Sequence, residues 1–198
     1  PSDPHLLRWM LFVDGENFAI RARAFAASRS IDLVEGENYK RDVFVWLPGV
    51  ACNRPLTNNN QQAAVPEVRK TAVRAYYYTS CAGDDDKLRN VEQSLWNLGF
   101  TPRVFKKPCK GTKSKGVDIA MTTDVLSHAY QDHYDVAVLL SGDADYVPVV
   151  HQLKRIGKIV LCLSFDNSSF SNELKLASDR SISIDPLFEE KWGSTAAT

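Results

Sequence analysis

Cysteine is scarce in this chain. Only Cys52, Cys81, Cys109 and Cys162 occur in 198 residues, and no two form a CxxC pair. That excludes a zinc ribbon and a secreted disulfide framework, and leaves free thiols as the plain reading. The four histidines (His5, His128, His133 and His151) form neither HxxxH nor HExxH, so they are read as structural. Neither GxxxxGK[ST] nor GxGxxG is present, which removes phosphate-loop nucleotide binding and dinucleotide binding. No apolar run approaches the roughly 18 residues that a membrane span needs. The opening PSDPHLLRWMLFVDGEN runs from an apolar stretch straight into acids without a small-residue cleavage site, so it does not read as a signal peptide. An excess of either charge is also missing, with 24 basic residues against 24 acidic ones. A chain that is basic throughout is therefore excluded, while a local basic patch is not. The expectation is a soluble cytoplasmic protein with no membrane partner.

What is present is ordinary globular composition, with 44% hydrophobic and 24% charged residues. A chain of this length makes one domain. It buries roughly 70% of its unfolded surface, enough to fold without a metal or disulfide staple.

Short apolar runs alternate with helical patterns. Residues 7–13 (LRWMLFV), 73–79 (VRAYYYT), 101–106, 134–140 (YDVAVLL), 158–164 (KIVLCLS) and 182–184 read as strands. Helices are expected over 17–29, 84–98, 116–131, 145–156 and 169–177. The first has an apolar face of Phe18, Ala22, Phe25 and Ala26. Gly99 and Gly157 stand where helices end, and Pro148 sits in a first turn. This alternation predicts an α/β fold with a mostly parallel central sheet and helices on both faces. In such sheets ligands bind beyond the carboxyl ends of the strands. Residues 30–69 break the rhythm with Pro48, Pro55, Pro66 and the polar tract 58–62. They read as an insertion in a single domain, 1–198, either a surface excursion or a flap over the site. VFVWL at 43–47 reads as an extra strand or part of a short helix. The tail after Trp192 reads as frayed.

Two strands end in acids. The first runs into Asp14-Gly15-Glu16-Asn17, and the strand at 134–140 runs into Ser141-Gly142-Asp143-Ala144-Asp145. If the strands are neighbours, Asp14 and Asp143 face one crevice. Asp118 stands in the first turn of the helix that starts near Gly116, and such helix starts point to the same sheet edge. Gathered carboxylates repel unless a cation neutralises them. All-oxygen donors suit Mg²⁺ or Mn²⁺, which can activate a water and stabilise charge on a phosphodiester. Asn17 and Asp145 can join the site or simply cap helices. Ser141 and Thr122 are candidate supporting hydroxyls. Asp124 lies about 240° around the helix from Asp118, which suits bracing a neighbour better than sharing an ion. Glu16 reads more readily as a solvent-facing first-turn residue.

Residues 103–115 (RVFKKPCKGTKSK) carry Arg103, Lys106, Lys107, Lys110, Lys113 and Lys115 without an acid. A basic loop beside an acidic cluster suits a polyanion, although a solvated loop gives the same pattern. Tyr76, Tyr77 and Tyr78 could stack on bases, but a strand triplet more often fills the core.

Three stretches, LFVDGENF (11–18), KGVDIAMTTDVL (115–126) and LLSGDADYVPVV (139–150), followed by the strand at 157–164, resemble the NYN domain family of PIN-like ribonucleases. The resemblance covers about residues 7–185. It implies a Rossmann-like PIN fold and metal-dependent RNA cleavage that leaves a 3′-hydroxyl and a 5′-phosphate. It also implies Asp14, Asp118 and Asp143 as metal-binding acids, with Asn17 and Asp145 as companions and Asp124 matching a further acid of the second motif. The expected function is a Mg²⁺- or Mn²⁺-dependent endoribonuclease acting on single-stranded or structured RNA. The alternative is a non-catalytic RNA-binding module. DNA stays open because nothing visibly reads a 2′-hydroxyl, and so does a homodimer. A phosphatase or Toprim-like enzyme fits less well: Phe12 stands where a DxDG motif needs an acid, and Asp14 stands where Toprim would want glutamate. The insertion at 30–69 is longer than a compact member of the family needs. VEGENY (34–39) echoes VDGENF (13–18) but lacks a preceding apolar strand, and reads as chance.

Overall fold

A computed structural model describes residues 6–51, 72–109, 116–166 and 170–193. Six parallel strands form the central sheet. They are β1 (Trp9–Asp14), β4 (Arg74–Ala82), β5 (Thr101–Lys107), β6 (Val136–Leu140), β7 (Ile159–Ser164) and β8 (Arg180–Ser183), in the order β5-β4-β1-β6-β7-β8. The expected α/β architecture is therefore present. β1 is buried along its whole length because it lies mid-sheet with helices on both faces.

The chain leaves β1 toward β4 and β5, then returns to lay β6 on the other side of β1. The strand order thus reverses between β1 and β6, and a crevice opens there beyond the carboxyl ends. Alternation along β1 sorts the core into two layers. Trp9, Leu11 and Val13 pack with α1 (Gly15–Ser28), α2 (Asp85–Asn97) and α6 (Asp185–Gly193). Met10 and Phe12 pack with α3 (Val117–Tyr130), α4 (Val147–Arg155) and α5 (Asn172–Ala177). The predicted apolar face of α1 is the buried one, with Ala19 added to it.

Two expectations change and one open choice is resolved. First, the described part of the 30–69 segment is not a surface excursion. β2 (Tyr39–Lys40) and β3 (Phe44–Val45) pair antiparallel, and Val43, Phe44, Val45, Leu47 and Val50 are buried in the α1 layer. Tyr77 Oη donates to Val45 O and accepts from Val45 N, both at 3.0 Å, which anchors this small sheet to β4. Residues 52–69 of that segment lie outside the described residues. Second, α6 has no counterpart among the expected helices; it seats Phe188 against Phe18, Phe25 and Phe165. The open choice is the tyrosine triplet, which fills the core and does not offer faces to bases. Tyr77 and Tyr78 are fully buried and Tyr76 nearly so, as the core reading has it.

Candidate functional site

The crevice is built from the ends of β1 and β6 upward. Val13 pairs with Leu140, so the next residues of the two strands, Asp14 and Ser141, stand side by side. Ser141 Oγ donates to Asp14 Oδ2 at 3.0 Å, and the Asn17 backbone N–H donates to Asp14 Oδ1 at 3.2 Å. Asp14 therefore caps α1 and belongs to the crevice at once. Gly15 follows because nothing larger fits. A Cβ there would stand 2.2 Å from the Tyr77 ring and 2.6 Å from the Tyr78 carbonyl. The glycine serves this close approach of α1 to β4, and not a left-handed turn, since Gly15 is not among the positive-φ residues.

After β6 the chain turns through Gly142 into a 3₁₀ turn, Ala144–Tyr146, and then α4. Asp143 caps that turn by accepting from the Asp145 backbone N–H at 3.1 Å. Capping thus falls to Asp143, while Asp145 is exposed. Asn17 reaches across to the same turn, where its Oδ1 accepts from Gly142 N–H at 3.4 Å and from Arg21 Nε at 2.5 Å. Asp118 enters from the first turn of α3 and accepts from Tyr146 Oη at 3.4 Å.

Electrostatics ties these groups together. Burial, aided by the charges of Asp118 and Asp143, pushes the Asp14 carboxyl up to about 7, against the bonds from Asn17 and Ser141. Tyr146 is buried beside the same three carboxylates; burial first, then their charges, drives its phenol far above the usual range. Desolvation pulls Arg21 down, while Asp143 and Asp14 oppose it. The structure therefore brings Asp14, Asp118 and Asp143 into one electrostatic neighbourhood, with Asn17 and Ser141 in contact. Tyr146 and Arg21 share that neighbourhood, and the motif reading overlooked both. Only the four-residue interval from Asn17 to Arg21, one turn of α1, signalled the latter.

Among the described residues, no three His, Cys, Asp or Glu side chains converge closely enough to form a ligand set. The donor chemistry nevertheless fits a hard divalent cation. Mg²⁺ takes one or two carboxylates and keeps several waters, so it does not require three converged acids.

The remaining candidates are placed elsewhere. Asp124 faces β4 and β5, where it accepts from Tyr78 Oη at 2.9 Å and pairs with Arg103 at 3.3 Å. It braces neighbours, as its helical phase predicts. Thr122 lies half-buried one turn beyond Asp118. In the basic run, Arg103 pairs with Asp124, Lys106 with Asp85 at 2.8 Å, and Lys107 with Glu16 at 2.9 Å. Lys107 is buried, and Ser80 Oγ donates to the same Glu16 oxygen. Glu16 is therefore a partner in a buried cluster and does not face solvent. Lys110, Lys113 and Lys115 lie outside the described residues.

Comparison with known proteins agrees with this geometry. The NYN domain matches the chain over residues 8–185. No curated protein matches it. The fold resembles the crystal structure of a protein of unknown function from Vibrio parahaemolyticus, with a TM-score of 0.58 and 18% identity. That match covers 93% of this chain and 96% of the other. At such low identity the likeness establishes the fold alone.

Proposed function

The chain belongs to the NYN domain family, a family of PIN-like nucleases, and from that premise we propose that it is a metal-dependent endoribonuclease whose site is the Asp14–Asp118–Asp143 crevice. One observation supports this reading above the others. Asp14 is buried at the sheet edge with Asp118 and Asp143 beside it; burial first, then their charges, raises its carboxyl. A divalent ion held beside these carboxylates would offset the cost of ionising Asp14 there.

Asp14, Asp118 and Asp143 would hold Mg²⁺ or Mn²⁺, which supplies an activated water and charge neutralisation at the phosphodiester. Ser141 and the Asn17 backbone fix the Asp14 oxygens, so that carboxylate needs little reordering when a ligand arrives. Asn17 joins α1 to the turn that carries Asp143 and so sets the spacing of two of the acids. Tyr146 orients Asp118. Ser141 also accepts from the Asp143 backbone N–H at 3.2 Å, which couples the two strand ends.

Arg103 and Lys106 are half-exposed in their ion pairs, with 48% and 56% of their side chains accessible. Exposed pairs are weak and screened by salt, so either cation can trade its carboxylate for an RNA phosphate. Lys107, with 8% accessible, stays with Glu16. Arg103 and Lys106, joined by Lys110, Lys113 and Lys115 on the strength of the sequence alone, are the proposed backbone contacts.

The test is cleavage of labelled single-stranded RNA and matched DNA by wild type and Asp143→Asn, in Mn²⁺, Mg²⁺ or EDTA. The expected result is metal-dependent cutting of RNA that disappears in the variant while the unfolding midpoint holds. Undiminished cutting by Asp143→Asn overturns the site assignment. RNA binding without cutting, indifferent to divalent ions, replaces the nuclease with a non-catalytic RNA-binding module.

A further inference from the structure

Arg21 is left unused by the chemistry just described. It rises from α1 one turn after Asn17 and is held there through Nε, which donates to Asn17 Oδ1. Its guanidinium lies against the turn after β6, and a Cβ on Gly142 would stand 3.1 Å from Arg21 Cζ and 3.2 Å from Nε. Glycine at 142 thus leaves the room in which the guanidinium sits.

Two further facts separate this arginine from a simple counter-ion. Asp143 and Asp14 both act on it through charge, yet it forms an ion pair with neither. Nη1 is buried and has no hydrogen-bond partner. An arginine retained only to neutralise carboxylates closes on one of them with two parallel bonds. Arg21 instead bonds through Nε to Asn17, and its buried Nη1 is left without an acceptor. A buried donor without an acceptor is costly and rare in native proteins, and where one occurs it commonly marks a function.

We propose that Arg21 forms an anion subsite of this crevice, which takes a non-bridging oxygen of the nucleic-acid backbone at the linkage to be cut. The inference rests on the phosphodiester reading above. Carboxylates repel a phosphate, so a cation of the chain itself, acting beside the metal, helps to seat one at this site. The planar fork of arginine matches phosphate oxygens better than a lysine does. A fork fixed in advance also stabilises the charge that builds on the phosphoryl oxygens during in-line displacement. Asn17 is then a positioning residue, because its Oδ1 aims the fork.

The experiment compares wild type, Arg21→Met and Arg21→Lys on two labelled RNA oligonucleotides. One is fully charged; the other carries a single neutral methylphosphonate at the linkage that wild type is found to cut. Cleavage is followed in Mn²⁺, and binding is followed with the same substitutions in an Asp143→Asn background. Arg21→Met is expected to lower kcat/KM on the charged strand by about 100-fold, the usual scale for losing one such donor. It is also expected to bind the charged and neutral strands alike, whereas the parent prefers the charged one. A residue that merely braced the fold would not change that preference. Arg21→Lys is expected to keep the preference but lose most of kcat, because it keeps charge without the fork.

Wild-type kcat/KM in Arg21→Met, or equal weakening on both strands, overturns the subsite and leaves the nuclease standing. If Arg21→Met fails to melt cooperatively, Arg21→Lys carries the test, and wild-type kcat there overturns the proposal. A wild type that neither cuts nor binds either strand overturns both readings.

Discussion

The two edges of the central sheet use the same residue types to opposite ends. At the amino edge, Arg8 precedes β1, Asp135 precedes β6 and Lys158 precedes β7. Arg8 Nη2 and Nε donate to the two Asp135 oxygens at 2.9 and 3.1 Å, and the Arg8 backbone N–H adds a bond of 2.7 Å. Arg8 and Lys158 also share Asp132. Bonds from Arg8 hold Asp135 below the usual carboxylate range, and bonds from Lys158 and Arg8 do the same for Asp132. At the carboxyl edge, Asp14 is buried beside Asp118 and Asp143, and its carboxyl is pushed up to about 7. Its one near arginine is bonded to an amide instead. The amino edge closes its charges in ion pairs; the carboxyl edge pairs Glu16 with Lys107 but gathers Asp14, Asp118 and Asp143 around one buried carboxyl.

The largest effect that tests this contrast is at Asp14. A carboxyl raised from 3.8 to about 7 favours the folded state fully below pH 3.8, and that contribution is lost as pH rises toward 7. In chelated protein the loss amounts to about 4 kcal/mol. Asp14→Asn cannot ionise, so in EDTA it should match wild type near pH 4 and exceed it by up to this amount at pH 8. Urea unfolding at both pH values checks it, and a gap that does not change with pH would place the strain elsewhere. Mg²⁺ should restore the wild type at pH 8 and leave the variant unmoved.

The amino edge should respond with the opposite sign. Asp135→Ala removes a partner that receives three bonds from Arg8, and it should cost about 1–3 kcal/mol at pH 7 without altering cleavage. Because the folded Asp135 carboxyl is depressed, its contribution is present above the ordinary value of 3.8 and fades as pH falls through the lower folded one. Acid titration of wild type against Asp135→Ala reads this directly. A loss of catalysis in a stable Asp135→Ala protein would break the division between the edges.

The smallest effect belongs to Lys106, which is exposed in its pair with Asp85. Lys106→Ala should leave the unfolding midpoint unmoved and weaken RNA binding more at low salt than at high salt. Salt-independent binding in both proteins would remove Lys106 from the backbone contacts.

Much of this contrast is legible in the order of the residues alone. Strand runs such as YDVAVLL carry their burial in their composition, and an acid after each run marks the sheet edge where it stands. The helical phase of Asp124 sets it away from Asp118, and it braces Tyr78 and Arg103 as that phase implies. Features without periodicity are the ones that escape. β3 lies inside the VFVWL run read as an extra strand or short helix, but β2 and β3 have two residues each, too few to show alternation, and Tyr77 and Thr79 of β4 tie them into the core through Val45 and Val43. The short α6 escapes for the same reason. The basic run is visible as a block, but its ion pairs with Asp124, Asp85 and Glu16 join residues far apart in sequence.

The sequence by itself determined the fold class, the order of the strands along the chain and the identity of the acids, because hydrophobic period and turn residues act locally. Tertiary structure alone decided which strands lie side by side, and so that Asp14 meets Ser141 and shares its field with Asp118 and Asp143. It also decided that Lys107 is buried on Glu16 while the Arg21 guanidinium packs against Gly142 with its buried Nη1 unpartnered. A charge has no fixed value along a chain; its surroundings set it, and folding assembles those surroundings from distant segments.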